Sequence, residues 1–415
     1  MNNIYNWNPV YNMVMEIKKA HKNSFGRMSD KFTDWLEDLN QEKYNKVFDN
    51  VETTQHENFL IVRYGLLHDL DGLWEPGSIF RECRSIVIDL MNERLVLAPF
   101  QKFFNFNEIH ENSPEVLFDD MLDAKLIEVT NKLDGSMQSA TWYDGDVFMS
   151  GSRSINPEQS WRLADGYSML TGGHIKLLKA MKEHTFIFEY IALKDAHVVK
   201  YKKEDEGLHL IGARSKITGE LLSHKNLKLL ADIYDISLVE KEELSLSDLL
   251  DKMKTEKSEH KEGWVLNING RLVKFKCNDY VQIHKLLDSV SSVNVIIKNI
   301  ADGTYDDMVS KVPDSYRGRV ESIAKLVFKY IDDVHSNVKK YFKEGMQHSF
   351  NDRKMFMIWV DKNVPKKYAS YVRELYLGKE VNVIKVGTAG YKTMKDMGYH
   401  GSYSALFSNE DSNNV

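Results

Sequence analysis

The rhythm of apolar and polar residues changes twice along this chain, and each of the three regions so marked off predicts a different structure. Residues 1–50 are helical in texture, with apolar positions interleaved among polar ones through Tyr11–Ala20 and Lys31–Phe48. From Phe59 the pattern shortens to β-branched and aromatic runs. These are Phe59–Tyr64, Ser85–Leu90, Arg94–Ala98, Met137–Trp142, Val147–Met149, Phe186–Tyr190, His197–Tyr201, Leu208–Ala213, Trp264–Ile268 and Arg271–Lys276. Asp144-Gly145 and Asn269-Gly270 separate neighbouring runs and suit tight hairpins, whose central residues need positive φ. Helical stretches intervene at about Ile175–Glu183 and Ser223–Tyr234. The pattern predicts an α+β domain of mainly antiparallel sheets with flanking helices.

After about Tyr280 the helical period returns. Val320, Ile323, Val327, Ile331, Val334 and Val338 form the stripe of an amphipathic helix, with start signals at Pro313-Asp314-Ser315. A further helix is expected to open at Pro365 and stop near Gly378. The predicted division is therefore 1–285, an α+β domain with a helical lead, and 286–415, an all-helical C-terminal domain. Ser408–Val415 is polar and expected to fray.

Composition narrows the class without deciding it. The chain has 415 residues, 42% hydrophobic and 28% charged, which suits a globular protein of two domains. No apolar run reaches the roughly 20 residues that span a bilayer, and the first residues lack a signal-peptide layout. Only Cys83 and Cys277 are present, which excludes a disulfide framework or a Cys-rich zinc site and agrees with a cytoplasmic setting. The net charge of −6 is unevenly spread. Residues 291–415 carry 19 Lys and Arg against 15 Asp and Glu, net +4, and the rest carry 36 against 46, net −10. A local basic surface is enough for nucleic acid, so the global charge excludes nothing there.

The sharpest chemical feature is Lys132-Leu133-Asp134-Gly135-Ser136, a lysine at a strand end entering a tight turn. By itself this reads as a surface hairpin. It gains meaning from Arg84 upstream and from Phe188-Glu189-Tyr190, Glu262-Gly263-Trp264 and Lys274-Phe275-Lys276 downstream. Lys274 and Lys276 have the spacing that puts two ammonium groups on one face of a strand. Pointing at Lys132, they would lower its pKa from about 10.4 and so favour the neutral, nucleophilic amine. Asp134, Glu189 and Glu262 supply hard oxygen atoms suited to Mg²⁺. Fourteen histidines form no His-Glu-x-x-His motif, and no Walker-type phosphate loop is present.

This ordered set resembles the covalent nucleotidyltransferases: ATP-dependent DNA ligases, RNA ligases and mRNA capping enzymes. It resembles most the bacteriophage tRNA-repair RNA ligases of the phage type-one family. The specific strings are Glu82-Cys83-Arg84, Lys102-Phe103-Phe104-Asn105, Asn107-Glu108, Lys132–Ser136, Tyr143–Asp146, Phe188-Glu189, Glu262-Gly263, Phe275-Lys276 and Tyr280–His284. The resemblance implies a nucleotidyltransferase (ATP-grasp-like ligase) domain that uses ATP with Mg²⁺ or Mn²⁺. It implies Lys132 as the residue that accepts AMP. Tyr64, Arg84, Arg153, Lys274 and Lys276 would contact ATP phosphates, and Asp134, Glu189 and Glu262 would organise the metal, largely through water. Arg153 stands where relatives often carry lysine, which keeps the charge but changes the geometry.

The implied substrate is RNA, in particular a tRNA broken in its anticodon loop. A separate kinase-phosphatase would heal the ends, in the cytoplasm of an infected bacterium. The alternatives are a DNA ligase, a capping-type guanylyltransferase and a catalytically silent RNA-binding relative. The helical C-terminal texture argues against the first two, which usually carry an OB-fold there. The full set of catalytic residue types argues against the third.

Overall fold

The computed structural model describes residues 4–26, 29, 31–65, 73–195, 198–282, 293–310, 312, 314–349 and 352–396. The chain divides into two compact units, one of Met1–Leu193 with His197–Val281 and one of Lys194–Ala196 with Gln282–Val415. The 285/286 division, His284, Pro313 and Ser408–Val415 lie outside the described residues.

The first unit opens with α1 (Pro9–Phe25), α2 (Phe32–Leu39) and α3 (Glu42–Phe48). Lys31–Phe48, expected as one helical stretch, is two helices. Asn40 ends α2 in the left-handed conformation at φ 40°, which asparagine tolerates better than most residues. Next come β1 (Val51–His56), β2 (Phe59–Tyr64), α4 (Ile79–Glu82), β3 (Arg84–Asp89), β4 (Arg94–Leu97), β5 (Phe104–Asn105), α5 (Pro114–Leu122), β6 (Ile127–Lys132), β7 (Ser136–Tyr143) and β8 (Asp146–Ser150). After them follow α6 (Trp161–Ser168), α7 (Gly172–Ala180), β9 (His184–Ile191), β10 (Gly207–Ser215), α8 (His224–Tyr234), β11 (Lys241–Glu242), α9 (Leu246–Thr255), β12 (Gly263–Ile268) and β13 (Arg271–Lys276).

These strands build three sheets, ordered β1-β2-β3-β4, β10-β9-β7-β8 and β11-β6-β12-β13-β5. All named pairings are antiparallel except β13 with β5, which is parallel. The hairpins β7–β8 and β12–β13 turn on Asp144-Gly145 and Asn269-Gly270, all four residues having positive φ. The first sheet packs one face on α1–α3 through Val14, Ile17, Phe32, Trp35 and Tyr44. The second buries Phe186, Phe188 and Tyr190 against Leu163, Leu177 and Leu227 of α6, α7 and α8.

The expected strand at His197–Tyr201 does not form over the described residues 198–201. The backbone N–H groups of Val198 and Val199 donate instead to the carboxylate of Asp134, so a side chain takes the bonds that a strand ladder would have used.

The second unit consists, in its described residues, of the helices Val293–Ala301, Tyr305–Ser310, Asp314–Ser349, Arg353–Asn363, Lys366–Tyr376 and Val383–Asp396. The long helix buries the whole stripe Val320, Ile323, Val327, Ile331, Val334 and Val338 against Phe356, Val360, Tyr368 and Val372. Cys83 and Cys277 are free and buried. No described helix is long and apolar enough to cross a membrane.

Candidate active site

Strand pairing alone assembles most of the site. β6, β12 and β13 lie side by side, and their register aligns three successive rungs. The first rung is Lys132, Gly263 and Lys276; the second is Thr130, Val265 and Lys274; the third is Glu128, Asn267 and Leu272. Because side chains alternate across a strand, residues two apart share a face. Eight of these nine residues, all but Gly263, line one wall of a cavity of about 290 Å³. The opposite side comes from Met137, Glu189, Ile211 and Gly212 of the second sheet and from His224 and Leu227 of α8, with Arg84, Phe100 and Phe103 also contributing.

Two glycines make this assembly feasible. A Cβ on Gly263 would lie 2.0 Å from the Phe275 carbonyl oxygen, so the β12–β13 approach needs a residue without one. A Cβ on Gly135 would lie 2.5 Å from the Tyr190 carbonyl oxygen and 2.9 Å from Glu189 Cγ. The turn after Lys132 is therefore pressed against the strand that carries Glu189.

Lys132 Nζ donates to Glu262 Oε2 at 2.7 Å, and Lys276 Nζ stands 3.0 Å from Glu262 Oε1. The Glu262 side chain is only 3% exposed. Burial acts to raise its pKa, but the two ammonium groups outweigh this and hold it below the usual carboxylate range. Burial acts to lower the pKa of Lys132, yet Glu262, then Glu189, and finally Asp134 reverse the balance and raise it. The expectation that Lys274 and Lys276 would depress Lys132 is thus overturned. Lys276 is engaged with Glu262, and the carboxylates hold Lys132 protonated. Lys274 is the strongly depressed lysine, through burial first and then the charges of Arg84, Lys132, Lys276 and Lys102.

Glu189 feels the opposite imbalance. Burial pushes its pKa up to about 7; Lys132 pulls it down and Glu262 and Asp134 push it up again. Asp134 is handled differently. Its Oδ2 accepts from Val198 N at 2.7 Å and Val199 N at 3.0 Å, and its Oδ1 accepts from the Tyr280 hydroxyl at 3.0 Å. Its own backbone N–H donates to the Tyr201 hydroxyl at 2.8 Å. Among the described residues no three His, Cys, Asp or Glu side chains are grouped to hold a metal ion. Asp134, Glu189 and Glu262 therefore do not form a direct three-carboxylate cage, because Asp134 is occupied by protein donors.

Arg84 lines the cavity, donates to the Gln101 carbonyl at 3.2 Å and lies 4.9 Å from the Phe103 ring centroid; burial lowers its pKa. Tyr64 and Arg153 are not among the lining residues. The Tyr64 ring stands 4.6 Å from Lys102 Nζ, and Arg153 is exposed, close enough to Arg63 to depress it. Lys102 and Phe103 open the string Lys102-Phe103-Phe104-Asn105. The structure shows why that string matters: the parallel pairing of β5 with β13 brings it beside Lys274. Lys274 Nζ then sits 4.5 Å from the Phe103 ring, and Lys102 Nζ lies near Tyr64, Trp74 and Phe104.

A polar cavity with two lysines held by one buried carboxylate, and with further cations beside them, suits reactions at phosphate. Residues 82–280 match the family model described as RNA ligase. This central stretch is similar to the RNA ligase family. The RNA ligase match begins two residues before Arg84 and ends at Tyr280, so it contains every candidate site residue except Tyr64. A Thermovibrio ammonificans protein named "Putative RNA ligase" is 33% identical over 148 residues, which is 34% of this chain and 36% of that protein. The chain thus spans about a third of the length of that relative. Among solved structures, an archaeal ATP-dependent RNA ligase gives a TM-score of 0.39 at 13% identity, covering 56% of this chain and 55% of that one. A Naegleria gruberi RNA ligase mutant with ATP and Mn gives 0.32 at 18% identity, covering 40% and 54%.

Proposed function

We propose that this protein is an ATP-dependent RNA ligase that accepts AMP on Lys132 and joins a 3′-hydroxyl to a 5′-phosphate. The observation that carries the reading is the first rung, where Glu262 closes on both Lys132 and Lys276 inside a family-matched domain. In the first step the Lys132 nitrogen forms a bond to the α-phosphorus of ATP, and the bond to the pyrophosphate oxygen breaks. The ammonium proton must leave before attack, and Glu262, 2.7 Å away, is the acceptor placed to take it. Lys274, Lys276 and Arg84 offset negative charge on the phosphate oxygens. An RNA 5′-phosphate oxygen then takes the AMP from Lys132, and a 3′-hydroxyl finally attacks that end and releases AMP.

Burial, with the charges of Glu262 and Asp134 nearby, holds the Glu189 carboxyl up at about 7, and a hydrated divalent cation would fit beside it. Mg²⁺ or Mn²⁺ held there through water would neutralise phosphate charge and loosen the carboxylates' grip on the lysine proton.

The physiological substrate we favour is tRNA broken in its anticodon loop, with a separate kinase-phosphatase preparing the ends in the bacterial cytoplasm. Support for this finer reading is the sequence resemblance to phage tRNA-repair ligases. The C-terminal unit offers Lys354, Lys362, Lys366 and Lys367, all exposed, as contacts for an RNA backbone.

Incubation with labelled ATP and Mg²⁺ or Mn²⁺, followed by denaturing electrophoresis, tests the reading. A covalent label from ATP but not GTP, and joining of RNA 5′-phosphate ends in preference to nicked duplex DNA, are expected. No covalent label across metals and pH would contradict it.

A further inference from the structure

The third rung of the cavity wall is unused by the chemistry above. Its acid, Glu128, shares a strand face with Thr130 and Lys132 and is 6% exposed. Four residues of extended strand put positions 128 and 132 roughly 13 Å apart. A nucleotide whose α-phosphate meets Lys132 and Lys274 therefore carries its base toward Glu128 if it lies along the rungs.

The hydrogen bonds around Glu128 fix what it can offer. Its Oε1 accepts from the backbone N–H of His224 at 2.9 Å, and its Oε2 faces Asn267 Nδ2 at 3.3 Å. The orientation of Asn267 is set independently, since its Oδ1 accepts from Gly270 N at 2.8 Å in the β12–β13 turn. The amide end pointing at Glu128 is thus the donor. His224 is oriented too, its Nε2 donating to the Val239 carbonyl at 2.8 Å. Glu128, Asn267 and His224 all line the cavity. A carboxylate has about four acceptor positions, and two are met by these protein donors. Its remaining capacity is for accepting hydrogen bonds only.

We propose that Glu128 determines base specificity by accepting a hydrogen bond from the exocyclic 6-amino group of adenine. This rests on the adenylation reading above. A 6-oxo purine would set its carbonyl oxygen against the carboxylate, leaving two acceptors facing each other with no proton between them. Sites built around a substrate N–H discriminate strongly against analogues that lack it. Glu128 also ties α8 to β6, so the test must read something that this tie does not control.

The measurement is the ratio of lysine adenylation with ATP to lysine labelling with inosine triphosphate, in the wild type and in Glu128→Gln. Glutamine can keep the bond from His224 through its oxygen while turning an N–H toward a 6-oxo group, at the loss of the contact that Asn267 Nδ2 makes with Oε2. The wild type is expected to prefer ATP by at least roughly 100-fold. In Glu128→Gln the ratio should fall by roughly tenfold or more. A folded Glu128→Gln with the wild-type ratio overturns the proposal. Should that variant not fold, the wild type is assayed with purine riboside triphosphate, which lacks the 6-amino group. Equal use of this analogue and ATP overturns the proposal, and a strong preference for ATP supports it. Absence of any labelling of the wild type by ATP would defeat the adenylation reading itself, a result distinct from labelling without base preference.

Discussion

Asp134 and Glu189 are both acids near Lys132, yet the protein treats them in opposite ways. Asp134 accepts from two backbone N–H groups and the Tyr280 hydroxyl, and so holds the segment after Lys132 to the chain around 198–201 and to Tyr280. Glu189 is left in a field of burial and like charge that raises its pKa to about 7. Glu262 stands between these extremes, buried but held ionised by two lysines. A carboxylate matched by fixed protein donors acts as structure, whereas one short of positive charge is available to a cation or a proton. An acid two positions from Lys132 and another fifty-seven positions away thus take different work from their surroundings.

The comparison can be broken most sharply at the lysine itself. Lys132→Ala should lose all self-labelling by ATP yet still seal RNA supplied with a pre-adenylated 5′ end, because no later step draws on the amine. Glu262→Gln keeps the shape but removes the proton acceptor. Lysine adenylation should fall by roughly 100- to 1000-fold, measured as the single-turnover labelling rate.

At Asp134 the two accounts of its carboxylate diverge. Asp134→Ala strands two backbone donors and a hydroxyl and should cost about 3 kcal/mol in denaturant unfolding. Asp134→Asn should keep most of the stability and of the labelling rate, since its oxygen can face Val198 and Val199 while the Tyr280 hydroxyl rotates to accept. Full stability with abolished labelling in Asp134→Asn would instead return Asp134 to a charged role in the chemistry.

Glu189 should reveal itself through pH. Its folded pKa of about 7 lies above the ordinary 4.5, so the folded state binds its proton more tightly than the unfolded chain does. The stabilisation is fully present below pH 4.5 and is lost as pH rises through 7. Glu189→Gln should remove a stability change on the order of 3 kcal/mol across that window, read from unfolding at several pH values. Smallest is the effect expected in the second unit. Alanine at Lys354, Lys366 and Lys367 should weaken joining of structured RNA a few-fold, as loss of surface phosphate contacts does, while self-labelling stays unchanged.

Much of this arrangement was legible in the sequence, and the reasons differ by element. The hairpins at Asp144-Gly145 and Asn269-Gly270 were readable because positive φ is a local demand with a local signature. The Val320–Val338 stripe was readable because burial follows the helical period over six positions. The set of Lys132, Glu189, Glu262, Lys274 and Lys276 is implied by the family resemblance that its order carries, and the register of β6, β12 and β13 brings its two ends together. The protonation balance was not readable. It depends on Glu262 lying 2.7 Å from Lys132, a contact across 130 residues that no spacing announces. The absent strand at 198–201 has the same origin, since the run has a strand's local pattern while its donors are claimed by a distant Asp134. Phe103 and Lys102 carry no local signal of their role, and only the parallel β5–β13 pairing gives them a place beside Lys274.

The most direct test of the central claim is to locate the AMP. Wild-type protein incubated with labelled ATP and a divalent metal, then digested and mapped by mass spectrometry, should carry AMP on the peptide containing Lys132. The linkage should be acid-labile and alkali-stable, as a phosphoramide is. AMP on any other residue, or an acid-stable linkage on this one, would contradict the account.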